Sequence, residues 1–230
     1  MELTQPPAHD HGSHPPGLAH HFESYAQQRE SATLGMWLFL VTEIMFFGGM
    51  FFCYALYRWK FPLAFAAGSH SIDIFWGALN TAVLIGSSLT MAMAVRAAQL
   101  SRNKAIVLFL VLTIILGGVF LGIKTIEYGD KFEHHHVPGP DFHFVGEGHF
   151  AGVNPNNVQM FFNLYFAMTG THALHMIIGI GIMLFMLRPA WRGKWHSDNH
   201  NFVEGFGLYW HFVDIVWIFL FPLLYLIGRH

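Results

Sequence analysis

The sequence predicts an all-α membrane protein: a bundle of five transmembrane helices. The chain has 230 residues, of which 53% are hydrophobic and only 11% are charged, whereas soluble domains carry about 25% charged residues. Five apolar segments are each long enough to cross a hydrocarbon core of about 30 Å as a helix. The predicted spans are residues 33–57, 72–95, 105–126, 158–187 and 206–227.

Residues 1–30 precede the first span and form a segment rich in histidine and proline, which we interpret as a cytoplasmic tail. Its histidines are irregularly spaced, so a solvated tail is favoured over a metal site; they are His9, His11, His14, His20 and His21. The segment lacks an apolar core and predicts no cleavable signal peptide. A net charge of -2 gives no reason to expect a nucleic-acid partner.

The distribution of basic residues predicts the orientation, because Lys and Arg accumulate on the cytoplasmic side of a membrane protein. One side of the predicted bundle would hold Arg29, Arg96, Arg102, Lys104, Arg188, Arg192 and Lys194, and the other Arg58, Lys60, Lys131 and Arg229. The N-terminus is therefore predicted to be cytoplasmic and the C-terminus periplasmic. The single cysteine, Cys53, excludes a disulfide within the chain.

Glu43 is the only charged residue of the first span, about 15 Å from the start of that helix. Many Leu, Ile, Phe and Val side chains outweigh the insertion cost of one acid. We expect Glu43 to be protonated or paired. It would act either in a hydrogen bond between helices or as a proton-responsive site.

The last span carries Trp210, His211 and Asp214 in an otherwise apolar helix. A carboxylate at the middle of a membrane costs about 2.5–3.5 kcal/mol on insertion scales, so it normally faces protein or water. His211 and Asp214 are three residues apart and lie close to one helix face. We predict that this face contacts other helices, lipid or another subunit.

Polar residues in the other spans also predict contacts between helices. Lys124 and Glu127 are three residues apart near the end of the third span, where a lysine can reach towards water and pair locally. The hydroxyl-rich second span is expected to pack closely against neighbouring helices; its polar residues are Asn80, Thr81, Ser87, Ser88 and Thr90.

The fourth span contains His172 and His175, which together with His211 raise the alternative of a haem held between helices. Counted along each helix from its predicted end at the inner side of the membrane, His175 would lie at a depth of about 18 Å and His211 at about 8 Å. Because the axial ligands of one haem must be nearly level, this count disfavours haem. We therefore predict contacts between helices for both fourth-span histidines.

The longest internal loop, about residues 129–156, contains three consecutive histidines: His134, His135 and His136. They are weak candidates for a metal site, because alternate side chains of an extended segment diverge and nothing fixes a tetrahedral set. A polar docking loop is the favoured interpretation. Its other polar residues are Glu133, Asp141, His143, Glu147 and His149.

Five strings, one in each span and in chain order, resemble subunit III of the haem-copper cytochrome c oxidases. They are LGMWLFLVTEIMFF, LNTAVLIGSS, LGGVFLGIKTIEY, TGTHALHMIIG and YWHFVDIVWIFLF. The resemblance covers about residues 30–228 and is to the short, five-helix bacterial form. That form lacks two N-terminal helices, which in the longer members form one arm of a lipid-holding cleft.

The resemblance implies an accessory subunit of a respiratory oxidase, packed on subunit I in a complex with subunit II in the bacterial inner membrane. The complex would reduce oxygen with electrons from cytochrome c and pump protons, with its haems and copper in partner subunits and none bound by this chain. Phospholipids are the implied bound molecules. Subunit IV or a larger respiratory assembly could be further partners.

The resemblance also implies roles for individual residues. Glu43 matches the intramembrane acid of the family that reacts with carbodiimides. The family also has polar residues at certain positions on its last two helices. The residues of this chain that match those positions are His172, His175, His211 and Asp214. In the family, subunit III supports proton uptake into subunit I and protects the active site from inactivation during turnover.

Several alternatives remain open at this stage. Within the same class of complex, the chain could be subunit III of a quinol oxidase or a related protein associated with nitric oxide reductase. From other classes, it could be a free-standing haem-b electron carrier or a transporter of metal ions or protons.

Overall fold

The computed structural model describes residues 24–140, 142–146, 148–193 and 201–226, and this part of the chain is helical without a strand. Its helices are α1 (Tyr25–Lys60), α2 (Pro62–His70), α3 (Ile74–Gln99), α4 (Asn103–Glu133), α5 (Pro155–Trp191) and α6 (Asn201–Phe221). A 3₁₀ turn, Gly148–Phe150, precedes α5, and a π-helical turn, Pro222–Leu226, continues α6. The five tail histidines, Asp141, Glu147, Lys194 and Arg229 lie outside the described residues.

Five of the described helices are long and apolar enough to cross a membrane: α1, α3, α4, α5, and α6 with its π turn. The predicted all-α class with five spans is therefore confirmed. Several helices are longer than the predicted spans, since α1 has 36 residues and α5 has 37. At 1.5 Å per residue they measure about 55 Å, well beyond a hydrocarbon core of about 30 Å. Their ends extend into polar surroundings, where hydropathy no longer marks a helix.

Residues 58–71 separate the first two predicted spans, and α2 occupies most of this connection. Pro62 stands in the first turn of α2, where a proline is well tolerated. The residue before a proline avoids the α conformation, so Phe61 ends α1 and separates the two helices. Phe65 is buried, and Gly68 lies directly against the ring of Phe161 on α5. These contacts fix a helix that is too short to span a membrane.

Polar side chains begin three of the helices by accepting a hydrogen bond from an otherwise unpaired backbone N–H. The donors and distances are Gln27 N to Ser24 Oγ (3.2 Å), Phe75 N to Asp73 Oδ1 (2.8 Å) and Asn156 N to Asn154 Oδ1 (3.0 Å). Between α3 and α4 the chain reverses in a tight turn in which Ser101 has a φ of 53°. This turn makes α3 and α4 an antiparallel hairpin.

The most enclosed of the membrane-spanning helices is α6. In the most apolar 18-residue segment of α6, 56% of the residues are buried, compared with 11% in the corresponding segment of α1. It packs on α1, α3 and α5, whereas α4 packs chiefly on α3 and α5. Trp210 and Trp217 are fully buried on α6. The last helix therefore presents its side chains to three neighbours at once.

Glu204, near the start of α6, links three helices at one end of the bundle. Gln99 Nε2 donates to Glu204 Oε1 at 2.7 Å, and Arg29 Nη2 lies 3.9 Å from Glu204 Oε2. The start of α1, the end of α3 and the start of α6 therefore share this end.

Candidate functional site

Glu43 on α1 and His175 on α5 form a pair within the membrane-spanning part of the bundle. Glu43 Oε2 lies 3.1 Å from His175 Nε2. Both side chains are largely buried, with 18% and 14% of their surfaces exposed. The ring of Phe47, one turn after Glu43, packs on the imidazole of His175 with centroids 5.4 Å apart.

The hydrogen bonds of His175 fix where its protons lie. Its Nδ1 is 2.8 Å from the carbonyl oxygen of Thr171. A carbonyl can only accept, so Nδ1 must carry a hydrogen. The contact between Nε2 and Glu43 then holds one proton. Either a protonated Glu43 donates to a neutral imidazole, or an imidazolium donates to a carboxylate. The pair can therefore keep or relocate a proton without losing its hydrogen bond.

The sequence predicts different depths for His175 and His211. Tyr209, two residues before His211 on α6, donates its hydroxyl to the backbone carbonyl of His175 at 2.8 Å, so α5 and α6 are in contact beside both histidines. The two histidines nevertheless have different partners, because His175 faces Glu43 and His211 faces α3.

On α6, Trp210 and His211 bond to adjacent serines of α3. Trp210 Nε1 donates to Ser87 Oγ at 2.9 Å, and His211 Nδ1 lies 2.7 Å from Ser88 Oγ. The hydroxyl-rich face of α3 is thus matched to polar groups of α6. Asp214 is 3% exposed and its carboxyl group lies beside the hydroxyl of Ser88, which is bonded to His211, but neither carboxyl oxygen has a hydrogen bond of good geometry among the described residues.

Lys124 and Glu127 on α4 form the centre of a buried polar cluster. Lys124 Nζ donates to Glu127 Oε2 at 2.9 Å and to the hydroxyl of Tyr225 at 2.6 Å. The hydroxyls of Tyr165 and Tyr225 donate to Glu127 Oε1 at 2.6 and 2.5 Å. The lysine pairs locally, but it lies inside the bundle, 4.7 Å from the centre of the Trp217 ring, and does not reach towards water.

His172 lies apart from these groups in an aromatic site. Its ring packs on Phe120 and Trp217, with centroids 5.3 and 5.2 Å away. It is fully buried, and neither ring nitrogen has a hydrogen-bond partner among the described residues. His172 therefore acts in this fold as an aromatic packing residue between α4, α5 and α6.

The three loop histidines have different surroundings. His134 Nδ1 bonds to the carbonyl oxygen of Asp130 at 2.8 Å, and the ring of His136 stacks on Phe162 with centroids 5.2 Å apart. Burial lowers the pKa of His136 to about 4. Among the described residues, no group of three His, Cys, Asp or Glu side chains could hold a metal ion. Within the described residues, no metal site is therefore formed by the three weak candidates, His134, His135 and His136.

Comparison of the sequence with known proteins identifies the family. A family described as "Cytochrome c oxidase subunit III" matches residues 156–229, which include α5 and α6. A cytochrome c oxidase subunit 3 from Thermostichus vulcanus is 32% identical over 200 residues, covering 85% of this chain and 87% of that relative. Another, from Synechocystis sp., is 30% identical over 228 residues, covering 99% and 88%. The chain belongs to the cytochrome c oxidase subunit III family.

Relatives within the subunit III family carry more than one oxidase name. A cytochrome bo(3) ubiquinol oxidase subunit 3 from Pseudomonas aeruginosa is 28% identical over 201 residues, covering 86% of each chain. Subunit III relatives are thus named both as cytochrome c oxidase and as quinol oxidase components. The matched segment 156–229 contains several of the polar residues described above; they are Tyr165, His172, His175, Trp210, His211, Asp214 and Tyr225.

Two tyrosines in this subunit III chain were not predicted as site residues. Tyr165 and Tyr225 complete the Lys124–Glu127 cluster from α5 and the π turn. A signal was available, because a buried acid with two carboxyl oxygens requires more donors than one lysine supplies. Tyrosine can supply them from an apolar helix. The sequence alone could not say which of the tyrosines face α4.

Proposed function

We propose that this chain is the accessory subunit III of a respiratory haem-copper terminal oxidase that takes electrons from cytochrome c and couples oxygen reduction to proton pumping. Membership of the family and full-length relatives named cytochrome c oxidase subunit 3 support this proposal. In it, the chain packs on subunit I, beside subunit II, and carries no haem or copper of its own. Its contribution is to support proton uptake and catalytic durability of the complex.

The pair of Glu43 and His175 is the observation that favours a role in proton uptake. The two side chains lie within hydrogen-bond distance between α1 and α5, at 3.1 Å. An ionisable side chain inside a membrane is by default a candidate functional group. We place the proton-linked function of the subunit at this pair.

Glu43→Gln tests that role in the intact oxidase complex. A glutamine amide can still donate to His175 Nε2, so we expect normal assembly and normal haem spectra. It cannot accept or release a proton, so we expect slower proton uptake or faster inactivation during turnover. Proton release per electron and the decay of oxygen consumption would be measured in reconstituted vesicles.

Glu43→Asp is the matched variant, because it keeps an ionisable group and shortens the side chain by one methylene. It should retain more of the wild-type proton uptake than Glu43→Gln. Unchanged pumping stoichiometry and unchanged inactivation in Glu43→Gln would make Glu43 a packing residue.

The electron donor has a second candidate, quinol, because relatives from Pseudomonas aeruginosa and Staphylococcus saprophyticus are named quinol oxidase subunits, at 28% and 29% identity. Purification of the tagged chain in mild detergent would distinguish cytochrome c from quinol as the electron donor. A copper-binding subunit II and oxidation of reduced cytochrome c support cytochrome c as donor. Oxidation of quinol without a copper-binding subunit II would favour the alternative.

We propose that the chain lies in the bacterial inner membrane with its N-terminus in the cytoplasm. The basic residues at the ends of α3 and α5 support this orientation through their cytoplasmic preference. The links from Glu204 to Arg29 and to Gln99 bring the start of α1 to the same end as the α3–α4 turn, which carries Arg102.

A further inference from the structure

A groove of about 420 Å³ opens between α3 and α6 on the outer face of the bundle. Its lining is mainly apolar and is provided by Leu84, Ile85, Leu89, Ala92, Ile215 and Ile218. Ile85, Leu89, Ile215 and Ile218 are strongly exposed and form its rim. The polar groups of the lining are Ser88, His211 and Asp214. The groove therefore combines an apolar rim with a polar patch.

Asp214 lacks the partners that the other two acids described inside the bundle possess. Glu43 has His175, and Glu127 has Lys124 and two tyrosines. Asp214 is 97% buried; Ser88, which also bonds to His211, can donate to at most one of its carboxyl oxygens, and the other oxygen has no donor within the part of the chain that the structure describes. A buried polar group left unsatisfied costs about 1–3 kcal/mol. A hydrogen-bond donor from outside this chain would remove that cost.

The depth of Asp214 restricts what the donor can be. Asp214 lies thirteen residues after Asn201, about 20 Å along α6. Ser88 lies eleven residues before Gln99, about 16 Å from that end of α3. Both positions are near the middle of helices that cross a core of about 30 Å. Lipid headgroups stay at the surfaces of that core, so of lipid and protein only a membrane-spanning protein segment can supply a donor at this depth.

We propose that the α3–α6 groove is the docking surface for a transmembrane helix of a core oxidase subunit, which places a hydrogen-bond donor against Asp214. The donor is a hydroxyl, amide, indole or basic side chain, because the carboxyl group of Asp214 needs a donor. The apolar rim packs on the body of the same helix. The identity of the partner as an oxidase subunit rests on the proposed function, whereas the chemistry of the groove does not.

Site-specific photocrosslinking in the intact complex tests this surface. The photoreactive residue p-benzoylphenylalanine is placed at Leu89 in the groove and, as a control, at Leu184, which is exposed on α5 and does not line the groove. We expect illumination to join position 89 to a transmembrane segment of a core oxidase subunit, identified by mass spectrometry of the crosslinked peptide.

Variants of Asp214 then test the hydrogen bond. Hydrogen bonds between membrane helices contribute from about 0.6 to 2 kcal/mol, so Asp214→Leu should reduce the crosslink from position 89 about three- to thirtyfold. Asp214→Asn keeps an acceptor oxygen and should retain most of the crosslink. Products from position 184 should be unchanged in both variants, which shows that the bundle is intact.

The possible outcomes separate this inference from the proposed function. The docking surface alone would be overturned if the chain co-purified with oxidase subunits but position 89 crosslinked only to lipid or to a second copy of this chain. The docking surface would also be overturned if position 89 crosslinked to a core subunit and Asp214→Leu left that crosslink unchanged in the intact bundle. Failure of the chain to co-purify with any oxidase subunit would overturn the proposed function.

Discussion

Lys124 and Glu127 illustrate how single charged residues are accommodated in this bundle. They lie one turn apart on α4, each with only 4% of its side chain exposed. Two tyrosine hydroxyls supply further donors to the carboxylate, and Trp217 lies under the ammonium group. Separating the members of such a pair is costly, because the remaining partner is left without compensation in a low dielectric. The stability of the site therefore depends on both charges being present together.

Glu127→Leu is expected to be among the more damaging single substitutions in the bundle. It leaves the ammonium group of Lys124 buried without its carboxylate, so we expect a loss of about 3–5 kcal/mol in the free energy of unfolding. Thermal unfolding in detergent, compared with wild type, measures this loss.

The double variant Lys124→Met with Glu127→Leu serves as the control for charge. It removes both members of the pair, so it should be clearly more stable than Glu127→Leu alone. Ile126→Leu, at an exposed position between them, should unfold as wild type does. Equal loss in the single and the double variant would contradict the proposed dependence on paired charges.

His136 predicts a pH dependence in the loop after α4. Its pKa is lowered from 6.5 to about 4, chiefly by burial against Phe162 and also by Lys131 and His134, while Asp130 opposes the change. The folded loop therefore binds fewer protons than the unfolded one. The stabilisation from neutral His136 is complete above about pH 6.5 and is lost as the pH falls towards 4.

Hydrogen–deuterium exchange of residues 134–140 measures this effect when wild type is compared with His136→Phe at each pH. Phenylalanine keeps the stacking on Phe162 and cannot be protonated. We expect equal protection of both proteins at pH 7.5 and lower protection of wild type at pH 5. Equal protection at both values would assign the stability of the loop to other contacts.

At the scale of elements, α5 and α6 approach closely because α5 has glycine where the large rings of α6 pack. A Cβ atom at Gly179 would lie 2.7 Å from Trp210 and 3.2 Å from Tyr209. Small residues at helix interfaces allow backbones to approach in this way. The close approach also brings Tyr209 within bonding distance of the carbonyl oxygen of His175. The packing of two helices thus supports the position of the Glu43–His175 pair.

Gly179→Ala should therefore separate α5 from α6 and destabilise the bundle by about 1–3 kcal/mol, the usual cost of overpacking a core. Gly181→Ala is the matched control on the same helix, because no atom lies within 4 Å of a Cβ at that position. It should be neutral or slightly stabilising, since alanine favours a helix. Thermal unfolding would compare the two variants, and similar melting temperatures would argue against the close approach.

The long elements of this fold could be predicted from the sequence, whereas their partners could not. Twenty-residue apolar segments identify five spans because the membrane imposes the same requirement on each of them. By contrast, α2 is short, and its packing on Tyr54 of α1 and Phe161 of α5 could not be read from the sequence. Glu43 could be identified as an acid that needs a partner. His175, 132 residues away, could be assigned to it only once α1 and α5 were placed together.

At the scale of the whole molecule, the five spans of the described residues predict that the start of α1 and the end of the π turn lie on opposite sides of the membrane. Reporter fusions test the proposed direction. A fluorescent protein that folds in the cytoplasm should be active at the N-terminus and inactive after residue 230. Alkaline phosphatase, which requires the periplasm, should show the opposite pattern. A reversed pattern would contradict the orientation deduced from the basic residues.

The bundle also joins its first helix to its last ones. The hydroxyl of Tyr54 on α1 donates to the carbonyl oxygen of Leu223 in the π turn at 2.7 Å, and Glu43 on α1 bonds to α5. During synthesis, α1 enters the membrane before α5 or the π turn has been made. Its polar groups must then be accommodated by lipid, water or the insertion machinery. The contacts of Glu43 and Tyr54 therefore form only after α5 and the π turn have been synthesised.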